Sequence, residues 1–226
     1  MLALLAISGL LLSGITIGLF NLIELDIREF YFSKIVFCGA AAAPVLATYL
    51  IQVNPKLVNS ISPLIARIFT PLVLITLVAY LVAVFVSGKD PYNDREFLLL
   101  FNILLIGVMA LILFSIIETS GSKTSRLRLL ILLCLTMVTV IINIVALSAI
   151  VFRIAEWGIT PNRFAILGSN MLMLIHMCLI AFRMVSCLKN KSTTEPILQI
   201  ITSYLPLYLI WCMVVVFIFP LIFNLA

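Results

Sequence analysis

Residues 129–152 read LLILLCLTMVTVIINIVALSAIVF, residues 164–182 read FAILGSNMLMLIHMCLIAF, and RIAEWGITPNR stands between them at 153–163. The flanking runs hold 24 and 19 residues without one Asp, Glu, Lys or Arg. A bilayer's hydrocarbon core takes about 20 apolar residues as a helix, and a helix satisfies its own backbone where water is absent. The intervening string is a helix stop followed at once by a helix start. Gly158 suits the left-handed C′ position, Thr160 suits the N-cap, and Pro161 the first helical position. These residues predict two antiparallel membrane helices joined by an unusually tight turn.

Outward from that pair, residues 2–20, 35–53, 68–87, 97–117 and 197–223 have the same character, and all 23 charged residues fall between the seven runs. Barrel strands would alternate over about ten residues, whereas these runs are continuous. Hydrophobic residues make up 64% of the chain and charged ones 10%, with mean hydropathy +1.31. Soluble domains carry about 25% charged residues, so this chain has too little charge to cover an aqueous surface. The expected fold is all-α: a polytopic transmembrane helical bundle of about seven helices plus a short interfacial amphipathic helix, in one integral membrane domain spanning 1–226. The first run lacks a positive n-region and a clean cleavage site, so it reads as a helix and not a signal peptide.

The net charge of +5 does not point to nucleic acid, because no basic run exceeds Arg126–Leu127–Arg128 and no basic face carries interleaved aromatics. Cytoplasmic loops collect Lys and Arg. Lys56, Arg67, Lys123, Arg126, Arg128, Arg183, Lys189 and Lys191 share the N-terminal side, against Arg28, Lys34, Lys89, Arg95, Arg153 and Arg163 opposite. That excess puts the N-terminus in the cytoplasm and the C-terminus outside. Cys38, Cys134, Cys178, Cys187 and Cys212 are scattered, with no ligand spacing, and read as small packing residues. No cofactor or metal is expected from them.

Several local patterns add detail. Leu57, Ile61, Leu64 and Ile65 recur at helical spacing opposite Asn59 and Ser62, so 57–65 is expected to lie along the membrane interface. The loop 21–34 mixes acids with Phe30, Tyr31 and Phe32, suited to a headgroup-level belt. Gly14 and Gly18 form a small-x-x-x-small face, as do Gly39, Ala43 and Ala47, which makes the first two helices packing partners. Asn93 and Glu96 look like a capping box. Asp90, Asp94 and Glu96 read either as a divalent cation site or as solvated acids at a helix N-terminus. Pro206 should kink the last helix.

The hairpin carries more polarity than its turn requires. Capping explains Gly158, Thr160 and Pro161, but not Arg153, Glu156, Asn162 and Arg163 at the bilayer edge. Arg153 and Glu156, three apart on a helix, can pair, and Arg163 can reach that carboxylate or the preceding helix's last carbonyls. Arg153, Glu156, Thr160, Asn162 and Arg163 are therefore the candidate functional hairpin, with a structural clasp as the competing reading. Trp157 is an interfacial anchor by type. Within the helices, Thr136, Thr139 and Asn143 share one face, and Asn143, Asn170, His176 and Arg183 are candidates for an intramembrane polar lining. Interhelical hydrogen-bond glue, with Arg183 snorkelling, is the alternative.

The string R-I-x-E-W-G-I-T-P-N-R at 153–163, with Leu167–Gly168–x–Asn170 after it, resembles the signature of a bacterial polytopic membrane protein family, domain of unknown function 4153 or a close relative. The 49–63 region and Asp90–Pro91–Tyr92 look similar to it as well. The resemblance implies a bacterial inner-membrane location, and a chain that is either the C-terminal portion of a longer protein or a short member. It implies no activity.

No H-E-x-x-H, G-x-S-x-G, P-loop or paired intramembrane aspartates occur, so no catalytic residue is assigned. The expected role is non-enzymatic: moving or sensing a small or lipid-like solute, or serving as the membrane subunit of a complex. The alternative is an enzyme or flippase acting on a lipid- or polyprenyl-phosphate. Expected partners are the lipid bilayer, a lipid or small-molecule ligand, and a protein partner or second copy of the chain.

Overall fold

A computed structural model describes residues 2–53, 61–87, 95–119, 126–190 and 194–223. The described residues are helical, with short turns and no strand. The protein is an all-α integral membrane protein. Among the described residues, six helices are long and apolar enough to cross a membrane. A seventh, α4 (Ile61–Ser87), has its apolar stretch at Ile68–Val84. Its 27 residues reach about 40 Å at 1.5 Å per residue, against a hydrocarbon core of about 30 Å. Contacts cluster into two units, Met1–Lys89 and Asp90–Ala226.

In the first unit, α1 (Leu2–Leu22) ends in a Schellman motif: Leu25 N–H donates to Phe20 O at 3.0 Å and Glu24 N–H to Asn21 O at 2.9 Å, with Glu24 at φ +57°. Asp26 Oδ1 then accepts the Arg28 N–H at 3.1 Å, and helix resumes at once. It runs through α2 (Arg28–Phe30), a π-helical turn at Tyr31–Val36 and α3 (Phe37–Val53). The first loop is therefore much shorter than 21–34, because Arg28 to Lys34 belong to the next helix. Phe30 and Phe32 are exposed there while Tyr31 is buried.

α1 packs against both α3 and α4. Leu19, Ile23, Leu77 and Tyr80 are buried, and Phe20 meets Tyr80 edge-on at 5.8 Å. The expected partnership of the first two membrane helices holds, but not through Gly14 or Gly39. A Cβ on Gly14 or Gly39 would meet nothing within 4 Å, while Ala47 is buried. Of the expected interfacial segment, 57–60 lies outside the described residues and 61–65 opens α4. The 90–94 acids also lie outside them.

The second unit holds α5 (Arg95–Thr119), α6 (Arg126–Trp157), α7 (Pro161–Asn190) and α8 (Glu195–Met213). α5 packs on α6, α6 on α7, α7 on α8, and α8 back on α5. Unlike a water-soluble bundle, this unit carries large apolar side chains outside as well as inside. On α6, Thr136, Thr139 and Asn143 are buried with Leu135, Ile142, Ala146 and Ala149, whereas Leu130, Met137, Ile141 and Ile144 face outward. Lipid is as apolar as leucine, so burying leucine confers little, and the small and polar residues among the buried Leu and Ile are what attract neighbouring helices. The thread of α8 loosens into a π-helical turn at Val214–Ile218 before α9 (Phe219–Ile222). Pro220 has no N–H to offer four residues back and its ring crowds that carbonyl; a widened turn accommodates both.

The α7–α8 seam closes on Gly168. Trp211 lays its ring against this glycine, and its Nε1 donates to Ala165 O at 3.3 Å and Ser169 Oγ at 3.1 Å. Any Cβ at 168 would overlap the indole. Gly168→Ala is therefore expected to cost about 1–3 kcal/mol, as overpacking does, read as a lower thermal midpoint in detergent. An unchanged midpoint would show that Trp211 has room to move.

Candidate functional site

The hairpin builds as its residues dictate. α6 ends at Trp157; Gly158 N–H donates to Ile154 O at 2.9 Å, and Gly158 takes the left-handed φ of +76°. Thr160 caps α7: its Oγ1 accepts the Arg163 N–H at 3.4 Å and its carbonyl the Phe164 N–H at 3.0 Å. Arg163 then reaches back, and its Nη1 donates to Trp157 O at 3.0 Å and Gly158 O at 2.8 Å. A cation thus meets the two carbonyls left over at the negative end of α6. Both guanidiniums flank the Trp157 indole, Arg153 at 5.1 Å and Arg163 at 5.8 Å from the ring centroid.

Glu156 departs from expectation. It is exposed, and among the described residues no ion pair joins it to Arg153 or Arg163. The indole at 157 and the carbonyls at 157 and 158 engage the guanidiniums that the carboxylate was expected to hold.

Axial spacing places the hairpin at the bilayer edge. Arg128 and Arg153 lie on α6, and Arg163 and Lys189 on α7. At 1.5 Å per residue each pair stands about 37–39 Å apart, bracketing a core of about 30 Å.

Behind the hairpin, α5, α6 and α7 enclose a cavity of about 500 Å³. Its polar lining is Arg153, Thr160, Asn162, Arg163 and Asn102; Leu99, Ile103, Ile106, Ile150 and Ile166 supply aliphatic walls. Leu99, Asn102, Ile103 and Ile106 form one face of α5, so the cavity runs about 10 Å along that helix. Leu99, Ile103 and Ile106 are also exposed, so the cavity is not sealed along α5. Four of the five candidate hairpin residues line it, and no Asp or Glu does among the described residues.

A chain of asparagines leads inward from there. Asn170 Nδ2 donates to Asn102 Oδ1 at 2.8 Å, and Asn143 Nδ2 donates to Asn170 O at 3.2 Å. Asn143 and Asn170 are each 1% exposed, and their Oδ1 atoms have no hydrogen-bond partner among the described residues. The structure thus brings two of the four expected lining residues together and adds Asn102. The signal that marks Asn102 is the one shared by the other two: a single Asn inside an apolar run, here 97–117.

The remaining two candidates lie elsewhere. His176 is fully buried on the α7–α8 seam, stacked on Tyr204 at 4.4 Å, with Nδ1 3.1 Å from Tyr208 Oη. Tyr208 in turn reaches Met109 Sδ at 3.4 Å. Arg183, seven residues on from His176, is exposed. The buried stripe of α7 runs through Met173, Met177, Ile180, Met184 and Cys187. His176 sits at its margin and is covered only because the α8 tyrosines reach over it.

No protein-family model, curated protein or solved structure matches the chain.

The clasp geometry makes two variants diverge. Arg163→Gln loses two charge-assisted bonds to terminal carbonyls, and at this half-buried site should cost about 1–2 kcal/mol. Glu156→Gln should change stability by less than about 0.5 kcal/mol, as surface substitutions do. Thermal midpoints in detergent check both, and a larger loss for Glu156→Gln would contradict the geometry.

Proposed function

We propose that the cavity behind the hairpin binds a lipid-like amphiphile by an anionic head, and that the chain is a non-enzymatic membrane component that moves or senses it. The observation that carries the reading is the lining: Arg153, Arg163 and Asn162 at the hairpin and Asn102 deeper in, continuous with five aliphatic side chains, of which Leu99, Ile103 and Ile106 are exposed. An anionic head suits the first group and an acyl chain the second. The described lining offers guanidinium and amide donors but no carboxylate, imidazole or thiol, which suits binding better than bond cleavage.

An anionic diacyl lipid should raise the thermal midpoint of the purified protein more than an uncharged diacylglycerol with the same chains, because ligand that binds only the native state stabilises it. Arg153→Gln should remove most of that difference. No differential shift with any anionic amphiphile would overturn the reading.

The proposed location is the bacterial inner membrane, which rests on the resemblance of 153–163, with the N-terminus in the cytoplasm, which rests on the distribution of Lys and Arg. On that orientation the cavity opens at the external leaflet. A reporter fused after Ala226 should be active only if it works outside the cytoplasm; cytoplasmic activity would reverse the orientation.

A further inference from the structure

Asn102 stands where the cavity meets the buried asparagine chain, and the chain decides which end of its amide faces the cavity. Asn170 Nδ2 donates to Asn102 Oδ1, so the carbonyl end of Asn102 is engaged. Asn102 Nδ2 makes no hydrogen bond among the described residues and belongs to the cavity lining. Asn170 is itself held: its backbone carbonyl accepts from Asn143 across the α6–α7 seam. The three asparagines, one on each helix, thus leave the N–H donors of Asn102 to the cavity, about halfway along its α5 wall.

We infer that Asn102 is a specificity-determining residue that selects a phosphate ester without an ammonium group, with Asn170 as the positioning residue that orients its amide. The inference rests on the reading of the cavity as an anion site. A phosphate monoester is rich in acceptors and matches a site of Arg163, Arg153 and Asn102 donors. An ethanolamine or choline head brings a second cation, for which the described lining has no carboxylate and the Asn102 carbonyl is already engaged. Desolvating that cation without a partner penalises the zwitterionic lipid.

The test titrates the full-length protein, purified in detergent, with phosphatidic acid, phosphatidylethanolamine of identical chains, and glycerol phosphate, and reads bound stoichiometry by native mass spectrometry. Phosphatidic acid should bind at least about tenfold more tightly than phosphatidylethanolamine, the worth of one hydrogen bond to a charged group. Asn102→Asp keeps the acceptor for Asn170 but replaces the donor with a negative oxygen, so the preference should fall about tenfold or reverse. Asn170→Ala should also erode the preference while leaving elution and helicity unchanged, an effect that loss of packing alone would not produce. Glycerol phosphate binding as tightly as phosphatidic acid would keep the phosphate inference but overturn the lipid part of the reading beneath it. A wild-type preference for phosphatidylethanolamine would mean that the amide presents its oxygen, and equal binding with an inert Asn102→Asp would remove Asn102 from recognition; either overturns the inference. If neither lipid nor glycerol phosphate binds, or Arg153→Gln changes nothing, it is the anion-site reading that fails.

Discussion

A polar group in hydrocarbon has no water to fall back on, and the second unit is arranged around that constraint. An unsatisfied amide at such depth costs several kcal/mol. The interior threonines and the side-chain N–H groups of Asn143 and Asn170 therefore find a protein acceptor, while the Oδ1 atoms of those two asparagines have no partner among the described residues. Thr136 and Thr139 donate to the carbonyls of Leu132 and Leu135 on their own helix, at 2.8 and 2.7 Å. Asn143 and Asn170 cannot be satisfied so locally, because a primary amide has two donors and an acceptor to place. They bridge instead, α6 to α7 and α7 to α5. Interhelical bonds of this kind add only about 0.6–2 kcal/mol each, so their larger effect is to choose which helix faces meet.

The same constraint governs the hairpin. Two helix ends meet there within a few residues, and their leftover N–H and C=O groups have to be covered at the edge of an apolar solvent. Gly158 turns the chain, Thr160 covers the start of α7, and Arg163 covers the end of α6. Arg163 is thus both a clasp and part of the cavity wall. The two roles are compatible because a guanidinium carries five donors and the carbonyls are contacted by one nitrogen alone. Coupling between turn and cavity follows: a ligand that draws Arg163 inward competes with the terminal carbonyls of α6.

Packing on the α7–α8 seam works differently. Gly168 admits the flat face of Trp211, and Phe164, Trp211 and Phe219 gather beside it with centroids 5.7–6.4 Å apart. Farther along, His176 is enclosed by Tyr204 and Tyr208. With no hydrophobic force between helices in lipid, flat rings against a glycine supply the van der Waals contact that the seam depends on. The cavity lies on the other flank, where α5 contributes Leu, Ile and Asn and leaves space.

Runs of uncharged residues near 20 long determined the helices, and capping residues determined the turn, because both follow from chain chemistry within a few residues: backbone bonds close i to i−4, and caps act within one turn. The Arg153–Arg163 string was legible as polar excess for the same reason. What lay beyond reach depends on which helix stands beside which. Glycine spacing marked α1 and α3 as neighbours, yet Gly14 and Gly39 face open space. Side-chain spacing allowed Arg153 to pair with Glu156, yet the indole of Trp157 and the α6 carbonyls hold the guanidiniums. Helical periodicity set Arg183 on the face of His176, yet one is exposed and the other buried, since only tertiary contact decides how far along a helix a neighbour extends. Asn102, Asn143 and Asn170 are 27 to 68 residues apart, and each alone reads as an isolated amide in an apolar run. Only the packing of three helices brings them within hydrogen-bonding distance, because in lipid an amide pairs with whichever helix arrives, and local sequence does not encode the arrival.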